Sequence, residues 1–163
     1  MGKWQDVVDT EPEFAGRVRE ALDAHKHKTI ATLRKDGSPR ISGIEIEFHE
    51  GELWFGSMPG ALKARDLQRD PRFALHGPSV IDPDDDPSSW PGDAKLAGLA
   101  VELTDRGAIE EVLRARGIEP EMFKDAHMFM ADLREVVHTR VVGDHLEIDL
   151  WRPGRELQRF QRS

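Results

Sequence analysis

The stretch IEIEFHEGELWFGSMPGALKARDLQRDPRFALHG, residues 44–77, decides the fold of this chain. It contains a strand pattern over Glu52–Gly56, a tight loop at Ser57–Gly60 and a short basic helix pattern over Ala61–Gln68, with Lys63 in the first helical turn. A helix N-terminus has unpaired N–H groups and the positive end of the helix dipole. This junction therefore predicts a binding site for an anion, and a phosphate in particular.

Two strand patterns precede this stretch and overlap its start. The segment TIATL at 29–33 is β-branched and apolar, and an Asp-Gly turn at 36–37 separates it from PRISGIEIEF at 39–48. In the second segment the apolar and acidic residues alternate, which predicts one buried face (Ile44, Ile46, Phe48) and one solvated face (Glu45, Glu47). Together with ELWFG, these segments predict a three-stranded antiparallel meander.

A helix is expected near the N-terminus. Thr10 and Glu13 have the spacing of a capping box, and Pro12 suits the first helical turn. Apolar residues then recur at helical spacing as far as His25 (Phe14, Val18, Ala21, Leu22). We therefore assign residues 1–27 to an N-terminal helical segment.

The remaining patterns are mostly strands. They are RFALHG at 72–77, AKLAGLAVELT at 94–104, and two or three strands around a Gly-Asp turn within 127–151, with an amphipathic helix at 108–116 and an irregular acidic, proline-rich loop at 79–93. Six or more antiparallel strands predict a mainly β (α+β) fold, because barrel closure removes exposed sheet edges. We expect a split β-barrel with an N-terminal helix and short peripheral helices, as a single domain over residues 1–163.

Composition excludes several classes of protein. A net charge of -8 without a basic stripe argues against nucleic-acid binding, and the absence of cysteine excludes disulfides and thiolate sites. Because no segment approaches the roughly 20 apolar residues of a membrane span, we expect a cytoplasmic protein without a membrane contact. Neither the histidines at 25 and 27 nor the aspartate-rich run 82–86 has a metal-site spacing, so no metal is predicted.

Four segments resemble the flavin-binding split-barrel superfamily that includes pyridoxamine 5'-phosphate oxidase: TLRKDGSPR, GELWFG, LKARDLQRDPRFAL and LEIDLWRPG. The resemblance covers residues 28–154, and its strongest piece is the pattern Lys63, Leu67, Asp70, Pro71, Arg72 after the glycine loop. It implies a split barrel, a homodimer, and a flavin or deazaflavin at the dimer interface with its phosphate near the strand-loop-helix junction. The chain resembles a short member of actinobacterial type rather than the oxidase itself.

Two basic residues are the best candidates for the cofactor phosphate. Lys63 matches the family lysine that contacts this phosphate, and Arg40 matches a phosphate-contacting arginine on the second strand. Each also has a plainer interpretation. Lys63 could be an ordinary lysine on an exposed helix face, and Arg40 could be the cross-strand ion-pair partner of a strand glutamate.

Five further residues are assigned by the resemblance. Ser42 and Gly43 lie on the strand beside which the isoalloxazine ring is expected, and Ser57 and Met58 begin the loop nearest the phosphate or ribityl chain. Trp151 resembles the C-terminal tryptophan of the oxidases, and from the partner subunit it would form a wall of the pocket. We name no catalytic acid or base.

The chain also departs from the oxidases. Ala61 and Leu62 stand where the family has a serine and an arginine, and Glu45 stands where the oxidases have a second basic residue. The segment RPGRELQRFQRS lacks a clear counterpart of the arginine and histidine that bind the vitamin phosphate, and the chain has no tyrosine. Because two phosphates need several charge-assisted donors each, synthesis of the vitamin cofactor is not expected.

Three functions follow from this interpretation. The first is an FMN-dependent oxidoreductase that passes a hydride between a small organic molecule and the flavin. The second keeps the fold and uses the deazaflavin coenzyme instead. The third is a non-catalytic protein that binds a flavin, haem or tetrapyrrole, with His76 or His127 as the axial ligand of a haem.

Overall fold

The computed structural model describes residues 2–78 and 86–163. Its helices are Trp4–Thr10 (α1), Pro12–Asp23 (α2), Leu62–Arg69 (α3) and Arg106–Ala115 (α4). Its strands are Lys28–Leu33 (β1), Pro39–Ile44 (β2), Ile46–His49 (β3), Glu52–Ser57 (β4), Arg72–His76 (β5), Asp93–Glu102 (β6), His127–Val142 (β7), His145–Trp151 (β8) and Gln158–Arg162 (β9). The mainly β architecture predicted from the sequence is confirmed.

One antiparallel sheet contains all of these strands, and it divides at β7. The order is β2-β1-β5-β6-β7-β4-β3, with β8 and β9 added beside the second half of β7. The first residues of β7 pair with β4, from Ser57↔His127 to Trp54↔Met130, whereas residues 136–142 pair with β8. Because β7 changes its partner along its length, the sheet forks, and the barrel is split rather than continuous.

The expected meander is wrong in one respect, because PRISGIEIEF is two strands. Pro39–Ile44 pairs with β1, whereas Ile46–His49 pairs with β4, and Glu45 lies between them. The two strands thus stand at opposite ends of the sheet order although they are consecutive in sequence. This curls the sheet round on itself and brings β2 close to β4.

The N-terminal segment is two helices rather than one. The second begins at Pro12, as predicted, but Thr10 is not its capping residue. Thr10 ends α1 and donates its hydroxyl hydrogen to the carbonyl of Asp6, while Glu11 is the N-cap of α2. The prediction missed α1 because its seven residues form only about two turns, too short for a clear apolar periodicity.

The main core lies between the curled sheet and α2. Its largest fully buried member is Trp151 from β8, and most of the others are aromatic and aliphatic side chains from α2 and the central strands (Phe14, Leu22, Ile30, Phe55, Leu75, Leu96, Phe129, Leu133). A second, smaller cluster forms where α4 packs on β4 and β7 (Trp54, Val112, Leu113, Met128). This outer cluster matters because it fixes α4 next to the loop after β4.

The acidic loop predicted at 79–93 is described only in part. Residues 79–85, and with them most of the aspartate-rich run, lie outside the described residues. Its later part contains a short 3-10 helix at Pro87–Ser89, and β6 already begins at Asp93. In the described part of the chain, no helix has the length and apolar character needed to cross a bilayer.

Candidate functional site

The junction of β4 and α3 has the geometry expected of an anion-binding loop. The strand ends at Ser57 and the helix begins at Leu62, one residue later than predicted. Gly60 has φ of 71°, a left-handed conformation that glycine adopts without strain, and the amide of Ala61 donates to the carbonyl of Met58 over 3.1 Å. The amides of Leu62 and Lys63 have no intrahelical acceptor, whereas that of Ala64 already donates to the carbonyl of Ala61 over 3.0 Å.

The side chain of Lys63 extends from the first turn of α3 to the backbone of β2. Its ammonium group donates to the carbonyl of Gly43 over 2.6 Å, and the side chain is half-buried rather than exposed as expected. Burial lowers the pKa of Lys63 from its ordinary value. The lysine is thus already held against the strand beside which the resemblance places a flavin ring.

Arg40 lies beneath this junction, in an ion pair with a buried aspartate. Its Nε donates to Asp66 Oδ2 over 2.7 Å, and Thr32 and Arg69 donate to the same carboxylate over 2.8 and 2.9 Å. Burial favours a higher pKa for Asp66, but the hydrogen bonds from Arg40, Thr32 and Arg69 outweigh it and lower the pKa. The arginine therefore has a structural partner, which is a helix aspartate rather than a strand glutamate.

A cleft of about 270 Å³ opens between β2, the loop after β4 and α4. One side is lined by Gly43 together with Ser57, Met58 and Lys63, which are four of the residues predicted from the resemblance. The opposite side is apolar and comes from α4, the segment after it and β7 (Leu113, Ile118, Phe123, Met128). The cleft therefore combines a cationic corner with an apolar wall.

Ser57 contributes a feature that the sequence did not reveal. Its hydroxyl oxygen is buried at the edge of the cleft and has no hydrogen-bond partner. A buried hydroxyl without a partner is costly in a folded protein. Met58 beside it is 70% exposed, and Ser42, on β2, is half-buried and not among the cleft residues.

The cleft has a second cation, which sequence reasoning missed. Arg116, at the end of α4, lines the cleft and donates to Glu45 Oε2 over 2.6 Å. Lys26 also lies 3.6 Å from the other oxygen of this carboxylate. The sequence suggested that Glu45 would weaken a phosphate site, but Arg116 and Lys26 balance its negative charge. Because 71 residues separate the two partners, no local pattern could have identified the pair.

Trp151 does not lie at the cleft. Its indole is 2% exposed and belongs to the main core, where Nε1 donates to the Thr10 hydroxyl over 3.0 Å. A side chain this deeply enclosed by its own chain has no free face for a ligand of a partner subunit. We therefore leave Trp151 out of the candidate site.

The sequence profile of the pyridoxamine 5'-phosphate oxidase family matches residues 14–140 of this chain. The chain belongs to this family. The match includes the strand-loop-helix junction and most of the cleft. A search of curated protein sequences finds no match to the chain.

Solved structures share the pyridoxamine 5'-phosphate oxidase fold with this chain. A pyridoxamine 5'-phosphate oxidase-related, FMN-binding protein from Nostoc punctiforme PCC 73102 is 14% identical, with a TM-score of 0.62 over 94% of this chain and 96% of its own. An F420 reductase is 20% identical, with a TM-score of 0.53 over 72% and 94%. A haem-binding protein from Mycobacterium smegmatis is 19% identical, with a TM-score of 0.57 over 83% and 56%. At these identities the similarity establishes the fold alone.

The two histidines considered as haem ligands both have partners in this member of the oxidase family. His76 Nδ1 contacts the carbonyl of Gly77, and its Nε2 lies 3.2 Å from Asp93. His127 Nε2 accepts a hydrogen bond from the amide of Gly60 over 3.3 Å, and Nδ1 lies 3.1 Å from Glu102. Axial ligation would break one of these contacts, so the geometry does not favour haem.

A group of potential metal ligands lies away from the cleft. His49, Glu50 and Glu111 bring one ligand atom each within 4.8 Å of one another. Glu50 and Glu111 are exposed, and ordering such long side chains around an ion costs conformational entropy. We assign no metal to this group.

Proposed function

We propose that the chain binds FMN in the cleft and uses it as an oxidoreductase on a small organic molecule. The observation that supports this best is the cationic corner, where Lys63 and the unpartnered hydroxyl of Ser57 line the cleft at the start of α3, whose first two amides have no intrahelical acceptor. A phosphate would supply acceptors for all of these donors. Membership in the oxidase family and the FMN-binding relative from Nostoc agree with this choice.

The donors divide into those that would hold the phosphate and those that would hold the ring. Lys63 and Ser57 would contact the phosphate, and Met58 would lie nearest the ribityl chain. Gly43 and Ser42 on β2 would face the ring edge with their backbone groups. Arg40 would act indirectly. Its Nε lies 2.7 Å from Asp66 Oδ2, and this ion pair would prevent an uncompensated carboxylate from repelling the phosphate.

The chemistry of the cofactor requires little more from the protein than this scaffold. Bound FMN would supply hydride acceptance and donation. The apolar wall of Leu113, Ile118 and Phe123 would exclude water from the ring, and the Arg116–Glu45 ion pair would lie at the end of the cleft with its charges balanced. We assign no acid or base, because the geometry brings no titratable group to a defined reacting atom.

A homodimer would complete this site. At about 270 Å³ the cleft of one chain is somewhat smaller than the roughly 300–1,000 Å³ of small-molecule sites. Exposed apolar side chains lie at or near its rim, with Ile41 74%, Met58 70% and Leu62 56% exposed. We propose that a second copy covers these side chains and closes the cleft.

The direct test is a binding titration with purified protein. FMN should bind at micromolar concentration or tighter, with quenching of flavin fluorescence. Gly43→Val is the sharpest variant, because a Cβ at this position would meet no atom within 4 Å and the fold should tolerate it. The added side chain should obstruct the cleft, so FMN binding should be lost at an unchanged melting temperature. Absence of binding to the wild-type protein would refute the proposal.

A deazaflavin coenzyme is the second candidate, and the charge of the site supports it. Lys63 is the principal cation at the phosphate corner, whereas Arg40 is already paired with Asp66. A phosphate diester, as in the deazaflavin coenzyme, has one negative charge, but a monoester such as that of FMN approaches two at neutral pH. The F420 reductase among the structural relatives agrees with this candidate. Titration of both cofactors against the same protein decides, since the true ligand should bind at least tenfold more tightly.

A further inference from the structure

The loop that precedes α3 is held by a histidine at the start of β7. His127 is mostly enclosed, with 22% of its side chain exposed, and its Nε2 accepts a hydrogen bond from the amide of Gly60 over 3.3 Å. Its Nδ1 lies 3.1 Å from Glu102 Oε1 on β6. Gln68 on α3 donates to both oxygens of this carboxylate, over 3.0 and 3.1 Å, and so fixes its orientation.

These contacts determine which nitrogen of His127 bears the hydrogen. Because Nε2 accepts from the amide of Gly60, it has no hydrogen in this arrangement. A neutral imidazole has one donor and one acceptor, so the hydrogen is on Nδ1 and is donated to Glu102. His127 thus joins a fixed carboxylate on one side to a loop amide on the other.

Protonation would affect the two sides differently. The imidazolium has donors at both nitrogens, so Nδ1–H would keep its bond to Glu102, but Nε2–H would point at the N–H of Gly60. In the described part of the chain, Gln68 Nε2 from α3 also lies 3.4 Å from Nδ1, and the Phe129 ring from β7 stacks on the imidazole with 6.5 Å between centroids. Neither replaces the acceptor that Gly60 would lose.

We propose that His127 is a positioning residue whose neutral form holds the Ser57–Gly60 loop in its anion-binding conformation, and that protonation of His127 releases this loop. A protonated imidazole at this position has no acceptor for the amide of Gly60, so the loop would lose this hydrogen bond in acid. Release of the loop follows from these contacts alone, whereas its effect on cofactor affinity rests on the proposed function.

The first test needs no ligand. Amide hydrogen exchange in the peptide that spans Ser57–Leu62, corrected for the intrinsic rate, should become about threefold to tenfold faster between pH 8 and pH 5, the equivalent of one lost hydrogen bond. In His127→Gln the amide oxygen of the new side chain can accept from Gly60 at any pH, so exchange should not change. His145→Gln, at the start of β8 and paired with the last residue of β7, is the matched control and should behave like the wild type. An equal increase in His127→Gln and the control would overturn the proposal.

A spectroscopic measurement keeps the test independent of how the variant folds. The imidazole nitrogen spectrum of the uniformly ¹⁵N-labelled wild-type protein at pH 8 should show His127 with its hydrogen on Nδ1. A hydrogen on Nε2 would overturn the proposal, because that tautomer cannot accept from Gly60.

The second test uses FMN as the probe. Its affinity for the wild-type protein should fall between pH 8 and pH 5 by about threefold to tenfold more than its affinity for His127→Gln. Titration of the FMN phosphate itself is common to both proteins and cancels in this comparison. If both lose affinity equally, the role of His127 is refuted while FMN binding stands. If FMN binds neither protein but exchange still depends on His127, the proposed function fails and the inference about the loop stands.

Discussion

Asp66 shows how one residue can determine the arrangement around the site. Its carboxylate is 4% exposed at the side chain and joins β1, β2 and α3 through Thr32, Arg40 and Arg69. From the sequence alone, Arg40 had two interpretations, as a ligand of the phosphate or as the partner in an ion pair. The partner could not be predicted because it lies 26 residues away on a helix, and only the curl of the sheet brings the two together.

Replacement of Asp66 by alanine should destabilise the fold strongly. The change leaves the charge of Arg40 and the hydroxyl of Thr32 without a buried partner, and we expect a loss of about 2 to 4 kcal/mol in the free energy of unfolding. Urea denaturation monitored by tryptophan fluorescence measures it. Glu156→Ala, an exposed carboxylate, is the control and should change stability by less than about 0.5 kcal/mol. Equal stability of the two variants would contradict the structural role of Asp66.

Replacement of Lys63 by alanine should act on cofactor binding. A charge-assisted hydrogen bond to the phosphate is worth about 1.5 to 3 kcal/mol, so the dissociation constant for FMN should rise about tenfold to 150-fold. Isothermal titration calorimetry measures the change. Lys35→Ala, in the exposed turn between β1 and β2, is the matched control and should bind like the wild type. An unchanged affinity in Lys63→Ala would mean that this lysine only ties α3 to β2.

At the scale of elements, a bulge in β7 requires a glycine in the facing strand β6. Ala97 pairs with Glu135 but Gly98 pairs with Leu133, so Arg134 is the extra residue, and a Cβ at Gly98 would lie 2.2 Å from the carbonyl oxygen of Asp132. Contact with a strand backbone cannot be relieved by a rotamer change. The bulge lies between the part of β7 that pairs with β4 and the part that pairs with β8.

Two glycine-to-alanine changes should therefore have opposite effects on the stability of the fold. Gly98→Ala should destabilise the protein by about 1 to 3 kcal/mol or prevent folding, because the backbones of β6 and β7 must separate. Gly16→Ala, in α2 with no atom within 4 Å of the new Cβ, should stabilise it by about 0.5 to 1 kcal/mol. Thermal unfolding by circular dichroism compares the two. If Gly16→Ala were also destabilising, the loss in Gly98→Ala could not be attributed to the contact between its Cβ and the backbone of β7.

Elements with a strong local signal were predictable, and elements set by tertiary contacts were not. The hairpin of β1 and β2 follows from its Asp-Gly turn, and α3 from its basic pattern after a glycine loop. By contrast, β9 could not be predicted. Its sequence, QRFQR, shows no alternation of apolar and polar residues, because all five residues are exposed and none is needed for a core. The cleft was half predictable, because its β2 and α3 side belongs to one continuous stretch, whereas Arg116 and the apolar wall come from α4, the segment after it and β7.

At the scale of the whole molecule, a buried histidine links stability to pH. His138 is 1% exposed and its Nε2 contacts the carbonyl of Pro91 at 3.1 Å. Burial lowers the pKa of His138 below its ordinary value of 6.5, and the nearby Arg17 and Arg140 add to this, against the contact with Pro91. The folded state thus holds this side chain neutral, whereas the unfolded state protonates it near the ordinary value.

Stability should therefore fall as pH falls below about 6.5. In that range the unfolded state binds more protons than the folded state, so His138 contributes a loss of up to about 1.4 kcal/mol per pH unit. His138→Gln removes this titration, and its stability should depend less on pH than that of the wild type. Urea denaturation at pH 7.5, 6.0 and 5.0 compares them, with His25→Gln as an exposed control. Parallel curves for wild type and His138→Gln would refute the prediction.

The proposed dimer gives the second prediction at this scale. Ile41 is 74% exposed on β2, near the rim of the cleft, and Ile41→Glu would place a charge in an apolar interface. Sedimentation velocity should show a dimer for the wild type and a monomer for Ile41→Glu. Leu146→Glu, 37% exposed at the start of β8, tests whether any exposed apolar residue has this effect and should leave the dimer intact. A wild-type monomer would contradict the proposed interface.

The single residue between β2 and β3 also has a mechanical consequence. The strands β2 and β3 are the two ends of the sheet order, so at Glu45 the sheet is continued by the covalent chain alone, and Arg116 ties this residue to the end of α4. Widening the sheet at this point would break fewer backbone hydrogen bonds than separating two paired strands. Because Glu45 lines the cleft, we expect the cleft to adjust to ligands of different thickness more easily here than along its hydrogen-bonded wall.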